Sequence, residues 1–287
     1  IGDRHRRRRF AADPRGGELQ TLADNYQAIH KATNAAVMPV LKANAYGHGL
    51  IEVAKRLQAE GAPYFGVAYV EEGIRLRHEG ISTPILVMGG IIESQIEAFI
   101  KHDLTITASS VGKLQAIEKT AQALGKKAIV HLKIDTGMER IGIHWYSARP
   151  LLEASLKCEN VIIEGIFSHL ATADEADKTQ TIEQIRRFKE VLEFYQETAQ
   201  PLPKWVHIAN SGGIIQHSDS FAAPFNMTRP GISLYGVSPT CEPDFATPLG
   251  VKPALSWLSR VVYFKVVQAG NPVSYGATWT PDEMTRL

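Results

Sequence analysis

The chain has 287 residues, of which 44% are hydrophobic, 8% aromatic and 21% charged, a globular composition that excludes disorder as the state of the whole. Its 31 Lys and Arg balance 30 Asp and Glu, leaving a formal charge of +1, so no global field draws it to nucleic acid or to an anionic membrane. No apolar run reaches the ~18 to 20 residues of a membrane-spanning helix and no secretory core opens the chain, so a cytoplasmic location is expected.

Residues 1–17 read as a basic tail outside the folded body. Arg4, Arg6, Arg7, Arg8 and Arg9 crowd around His5, and Pro14, Gly16 and Gly17 follow with little apolar content. From Glu18 the pattern turns regular, with Leu19, Leu22, Tyr26 and Ile29 at helical spacings. A short apolar run, Val37 to Leu41, comes next. The spacing then predicts helix 50–60, strand 64–69, helix 70–79, strand 84–88, helix 92–101, strand 104–107 and helix 110–124. Strand 127–134, helix 147–157, strand 161–167, helix 178–199, strand 204–208, helix 211–216 and a last strand near 227–235 continue the alternation.

Counted from Val37 these are eight strands alternating with helices, the order expected of a parallel sheet covered by helices. Eight such units close a (β/α)8 TIM barrel over roughly 200 to 250 residues. A doubly wound open sheet is the alternative, but no GxGxxG follows the first strand. The barrel is expected over 18–240. After it Pro243, Pro248 and Pro253 punctuate a linker, and Ser256 to Gln268 has the partial alternation of strands, so 241–287 is read as the start of a β-rich domain. Two distant cysteines, Cys158 and Cys241, lack a Cys/His neighbourhood, so neither a disulfide framework nor a metal site is expected.

Barrel enzymes place their chemistry on the loops after the strands. The first strand delivers Lys42, Asn44, Tyr46 and His48 there. A lysine at a barrel mouth is partly desolvated, which favours its neutral, nucleophilic amine and hence Schiff-base formation with an aldehyde. Strand five runs into Lys133, Asp135 and Arg140, strand six into Ser168 and His169, strand seven into Asn210 to Gly213, and strand eight carries Arg229 to Ile232. Loops seven and eight commonly hold a phosphate, and Ser211 with the adjacent glycines offers a hydroxyl and open backbone N–H groups. A phosphate-bearing aldehyde on Lys42 satisfies both readings. Taken singly, Ser211 reads equally as a helix cap and His169 as a core histidine.

The stretch VLKANAYGHG at 40–49 resembles the pyridoxal-phosphate lysine signature of the alanine racemases. HLKIDTGMERIGI (131–143), FSHLATADE (167–175), HIANSGG (207–213), MTRPGISLYG (227–236) and VSYGATW (273–279) are similar to further segments of that family in the same order. The resemblance covers about residues 18–287. It implies fold type III, with pyridoxal 5′-phosphate on Lys42 and two-base interconversion of L-alanine and D-alanine by Lys42 and Tyr275, the tyrosine acting across a head-to-tail homodimer. A phenol of ordinary pKa about 10 needs cationic neighbours for that role. The resemblance further implies a chain through His169 to Arg229, with Arg229 facing the pyridine nitrogen.

By the same resemblance Arg140 contacts the cofactor's phenolic oxygen and the substrate carboxylate, steadied by Lys133, which many members carry as a carbamate. Tyr46, Ser211, Gly231 and Ile232 hold the phosphate, with Asn210 beside them. The product is D-alanine for bacterial peptidoglycan. Residues 1–17 do not match the family's opening segment, and most of its β domain is expected beyond Leu287, as in a truncated racemase. Two other readings are a broad-specificity amino-acid racemase and a non-catalytic barrel of vitamin B6 homeostasis. A decarboxylase sharing the barrel is disfavoured by Arg229, because such enzymes place a carboxylate at the pyridine nitrogen.

Overall fold

Short, almost wholly apolar runs buried on both faces make parallel strands, and here they close into a ring. The computed structural model describes residues 14–240, 249–256 and 261–287. The ring consists of β1 (Ala36–Val37), β2 (Phe65–Val67), β3 (Ile85–Val87), β4 (Thr105–Ala108) and β5 (Ala128–Asp135), with the short β6 (Ile143–His144) paired only to β5. It continues through β7 (Val161–Phe167), β8 (Trp205–His207) and β9 (Met227–Thr228). β9 returns to β1 in parallel, with Ala36 opposite Met227. The seam on the other side of β1 is closed just beyond the strand, where Leu41 N donates to Gly66 O at 2.7 Å and Gly66 N to Pro39 O at 2.9 Å. The expected (β/α)8 barrel is what the chain forms.

Two apolar layers hold it. Val130, Leu132 and Ile134 of β5 face outward into the main core, alongside helix residues such as Leu57, Leu114, Ile117 and Phe188. Each such side chain contributes about 1.5–3 kcal/mol by leaving water. Met38, Tyr64, Leu86, Phe167 and Met227 form a second, separate cluster. On β5 the alternate residues His131, Lys133 and Asp135 are also buried, which period-two geometry assigns to the opposite face, the barrel interior. Gly165 on β7 is required there, since a Cβ would lie 2.5 Å from the His131 ring.

Several boundaries differ from the sequence reading. The first helix spans Pro14–Thr33, so the end of the supposed tail is helical; proline is well suited to a first helical turn. The arginine cluster lies outside the described residues, as do Cys241, Pro243 and Pro248. The last barrel strand stops at Thr228, because Pro230 has no N–H for the ladder, and Ile232–Tyr235 winds into a 3-10 turn. Helix 92–101 begins as a 3-10 turn, Glu93–Gln95. The half-buried Cys158 donates to Ala154 O, and burial pushes its thiol up to about 11.

The chain divides into compact units at Leu255/Ser256. In the second unit the strand expected across 256–268 is reduced to β10 (Val266–Val267), antiparallel to β11 (Thr285–Arg286), and 257–260 lie outside the described residues. No helix among the described residues is long and apolar enough to cross a membrane.

Candidate active site

A cavity of about 320 Å³ opens at the C-terminal mouth of the barrel. Lys42, Tyr46, His169, Asn210, Ser211, Arg229, Gly231 and Ile232, all singled out by sequence, line it together with Val40, Met88, Asp174 and Pro239. They converge because each follows the C-terminal end of a strand, where parallel order brings every loop to one face.

Lys42 is half-buried, with Nζ 5.8 Å from the centre of the Tyr46 ring. The backbone behind it is unusual. Ala43, Asn44, Ala45 and Tyr46 have φ between 52° and 55°, a left-handed turn built without glycine. Such a conformation costs about 1–2 kcal/mol per L-residue, and of these four only Asn44 is of a type that enters it readily. Tyr46 packs at 4.9 Å on the ring of buried Tyr235, whose hydroxyl donates to Val40 O at 3.0 Å.

The opposite wall is a polar cradle. Ser211 Oγ accepts from Gly231 N at 3.0 Å and from Ser233 N at 3.2 Å. A Cβ on Gly231 would stand 2.5 Å from the Tyr46 hydroxyl, so a side chain there would have to push the tyrosine aside. The cap of helix Ser211–Gln216 is Asn210, which accepts from Gly213 N at 3.0 Å and donates to Leu170 O. Ser211, read as one alternative for the cap, is the first residue inside the helix.

Arg229 is buried and forms no ion pair among the described residues. It donates to Ser168 O at 2.7 Å and Ile208 O at 3.1 Å, and its nitrogens lie 2.7 Å from His207 Nδ1 and 3.3 Å from His169 Nδ1. Desolvation lowers the guanidinium to about 9, so it stays cationic at neutral pH. Burial, followed by repulsion from Arg229, holds His207 and His169 well below the ordinary histidine value, so both are neutral. A guanidinium has only donors; His207 therefore accepts at Nδ1 and carries its proton on Nε2, directed at His131 Nδ1, 3.0 Å away. His131 Nε2 then points toward Glu164, at 3.9 Å.

Lys133 and Arg140 are not among the residues lining the cavity. Lys133 is buried, its Nζ donating to Ile134 O at 3.1 Å and lying 5.1 Å from the Phe167 ring centre. Desolvation, then the charge of Arg229, brings its amine down to about 7. Arg140 is exposed at the end of a loop that Asp135 organises by accepting from the N–H groups of Gly137, Met138 and Arg140. Burial works against the Asp135 carboxylate, but those N–H groups prevail and keep it below its usual range. Tyr275 belongs to the second unit, on the 3-10 turn Tyr275–Ala277, and is 99% exposed.

Residues that sequence reasoning left unassigned are His131, His207 and Tyr235. The two histidines stood inside quoted motifs, and the alternation of His131, Lys133 and Asp135 along one strand was the available signal.

Comparison with known proteins agrees with this fold. The family described as alanine racemase, N-terminal domain, matches residues 18–239. The chain is 40% identical over 271 residues to the alanine racemase of Carboxydothermus hydrogenoformans, covering 94% of this chain and 72% of that protein. It is 37% identical over 272 residues to that of Halothermothrix orenii, covering 94% and 70%. Among solved structures, the alanine racemase of Clostridium difficile 630 superposes with a TM-score of 0.81 at 34% identity, over 94% of this chain and 69% of that one. That of a D-cycloserine-producing Streptomyces lavendulae superposes at 0.86 and 30% identity, over 93% and 70%.

Proposed function

The chain belongs to the alanine racemase family, and from that premise we propose that it interconverts L-alanine and D-alanine with pyridoxal 5′-phosphate, Lys42 and Tyr275 serving opposite faces of the substrate Cα. The observation that carries the reading is that the Lys42 amine and the Arg229 guanidinium open on one cavity whose far wall is the Ser211–Gly231 cradle. The residues present fit the cofactor: an amine for its aldehyde, a guanidinium for its ring nitrogen, and hydroxyls with a glycine-dependent close approach for its phosphate. When bound, the cofactor supplies a carbonyl that condenses with amines and a conjugated ring that takes up the electron pair left at Cα.

The chain's own groups divide the remaining tasks. Lys42 holds the aldehyde and exchanges a proton at Cα on the D-alanine side. Tyr46, Ser211, Gly231 and Ile232 bind the phosphate, with Asn210 fixing the helix start beneath it. Arg229 can only donate, and it keeps its charge at neutral pH, so it offers the ring nitrogen a hydrogen bond and no proton to keep. That tempers electron withdrawal and favours return of the proton over side reactions. His169 joins Arg229 to the substrate region, and Arg140 takes the substrate carboxylate.

Tyr275 exchanges the proton on the other face, contributed by the partner subunit of a head-to-tail homodimer; its full exposure leaves the phenol open to a second chain. Lys133 bears a carbamate, formed from the neutral amine that burial produces. The activity belongs in the cytoplasm, where D-alanine enters peptidoglycan synthesis. Borohydride reduction of the cofactor-loaded chain, followed by peptide mapping, tests the centre of this reading. The label is expected on Lys42, together with racemisation of either alanine enantiomer by chiral chromatography. A label on a different lysine overturns it.

A further inference from the structure

The left-handed turn behind Lys42 needs a restraint, because L-residues enter that conformation singly and not in runs. The turn supplies part of it: Ala45 N donates to Leu41 O at 2.8 Å and Gly47 N to Ala43 O at 3.1 Å. The N–H of Ala43, in the peptide that joins it to Lys42, goes elsewhere. It donates to Glu72 Oε1 at 2.7 Å. The other oxygen of Glu72 accepts from Ala68 N at 2.9 Å and Tyr69 N at 3.3 Å, at the start of helix Val70–His78. One carboxylate thus ties the lysine peptide after β1 to the loop after β2. That loop is itself confined, since a Cβ on Gly89 would lie 2.3 Å from Ala68 O.

We propose that Glu72 is a positioning residue for Lys42: its carboxylate holds the Lys42–Ala43 peptide in the left-handed turn and so directs the lysine amine into the cavity. The inference rests on reading Lys42 as the cofactor lysine. A helix cap needs only the oxygen that serves Ala68 and Tyr69. The oxygen spent on Ala43 is the one that reaches the site.

The test uses the full chain and two readouts, the rate of pyridoxal phosphate capture at Lys42, trapped by borohydride, and amide hydrogen exchange at Ala43 without cofactor. Glu72→Gln keeps one acceptor oxygen and loses the charge, so capture slows about tenfold and Ala43 exchanges about tenfold faster. The amides of Ile106 and Leu132 in the barrel sheet keep their rates. Ala43→Gly added to Glu72→Gln restores capture, because glycine enters the left-handed region without steric cost; loss of a helix cap would not be rescued this way. Should Glu72→Gln fail to fold, Glu72→Asp, with a shorter reach, is read by the same measures. Unchanged capture and Ala43 exchange, or slowed capture that Ala43→Gly leaves slow, overturns the inference. An unsubstituted chain that carries no label on Lys42 defeats the underlying reading instead, and Ala43 exchange still decides whether Glu72 holds the peptide.

Discussion

His207 Nδ1 lies 2.7 Å from a guanidinium nitrogen of Arg229, and this contact sets the protonation of the barrel interior. The arginine can only donate, so His207 and, through it, His131 are both neutral rings protonated at Nε2. Nitrogen-15 spectra of histidine-labelled chain are expected to show this tautomer for both and no titration near pH 6.5. Because both rings stay neutral in the fold while unfolded histidines take up protons, the chain loses stability as pH falls below 6.5. His207→Phe leaves an Arg229 N–H unpaired in the interior, at about 1–3 kcal/mol in urea unfolding, and removes part of this acid sensitivity. An acid limb unchanged by the substitution contradicts the assignment.

The buried Lys133 amine is the group proposed to carry a carbamate. With a folded value of about 7 against an ordinary 10.5, folding releases a proton from it between those pH values, so this group's contribution to stability rises as pH climbs through that window. The neutral amine is also the form that adds carbon dioxide. In 13C-bicarbonate the chain is expected to show a carbamate carbon resonance that grows above pH 7 and is absent in Lys133→Met. Its persistence in the variant would place the carbamate elsewhere.

Gly231 tests the phosphate cradle. Gly231→Ala brings a methyl to 2.5 Å from the Tyr46 hydroxyl, and the overpacking is expected to cost about 1–3 kcal/mol. Weaker pyridoxal phosphate binding, by about tenfold or more, follows if the cradle holds the phosphate. Gly112→Ala is the control, since its Cβ meets nothing within 4 Å and the exchange favours the helix. Equal cofactor affinity in the two variants would count against the cradle.

Tyr275→Phe tests the proposed pair of bases. Loss of one general base is expected to slow Cα proton exchange of L-alanine in deuterated water about 100-fold or more, with D-alanine much less affected. Equal slowing of both enantiomers would refute the two-base assignment.

Gly165→Ala probes the interior. A methyl there falls 2.5 Å from the His131 ring and displaces it from His207, so a loss of about 1–3 kcal/mol in thermal or urea unfolding is expected. Altered His207 nitrogen shifts should accompany it. Wild-type stability would mean that the ring moves freely.

Much of this was legible along the chain. Apolar spacing over 18–240 encodes strand and helix because each element's pattern is set by its own neighbours, and the motif around Lys42 marks, without any coordinates, the loop proposed to hold the cofactor. The proline at 230 carried the signal that the last strand must end early, yet the apolar run around it reads as strand. The left-handed turn at 43–46 had little local signal, since Ala and Tyr ordinarily avoid that region and only Asn44 enters it readily, and its restraint by Glu72 comes from a different loop.

What the sequence by itself determined is the order of elements, the barrel, and the chemical groups delivered to its mouth, all consequences of local periodicity and residue type. Only the tertiary structure decided how those groups behave. The line from Arg229 through His207 to His131 joins the residue just past β9 to β8 and β5, segments apart in sequence. The low affinity of Lys133 for its proton arises from burial among charges brought together by closure of the ring. Pairings and desolvation of this kind depend on the distances between residues far apart in the chain, and those distances exist only once the barrel has closed.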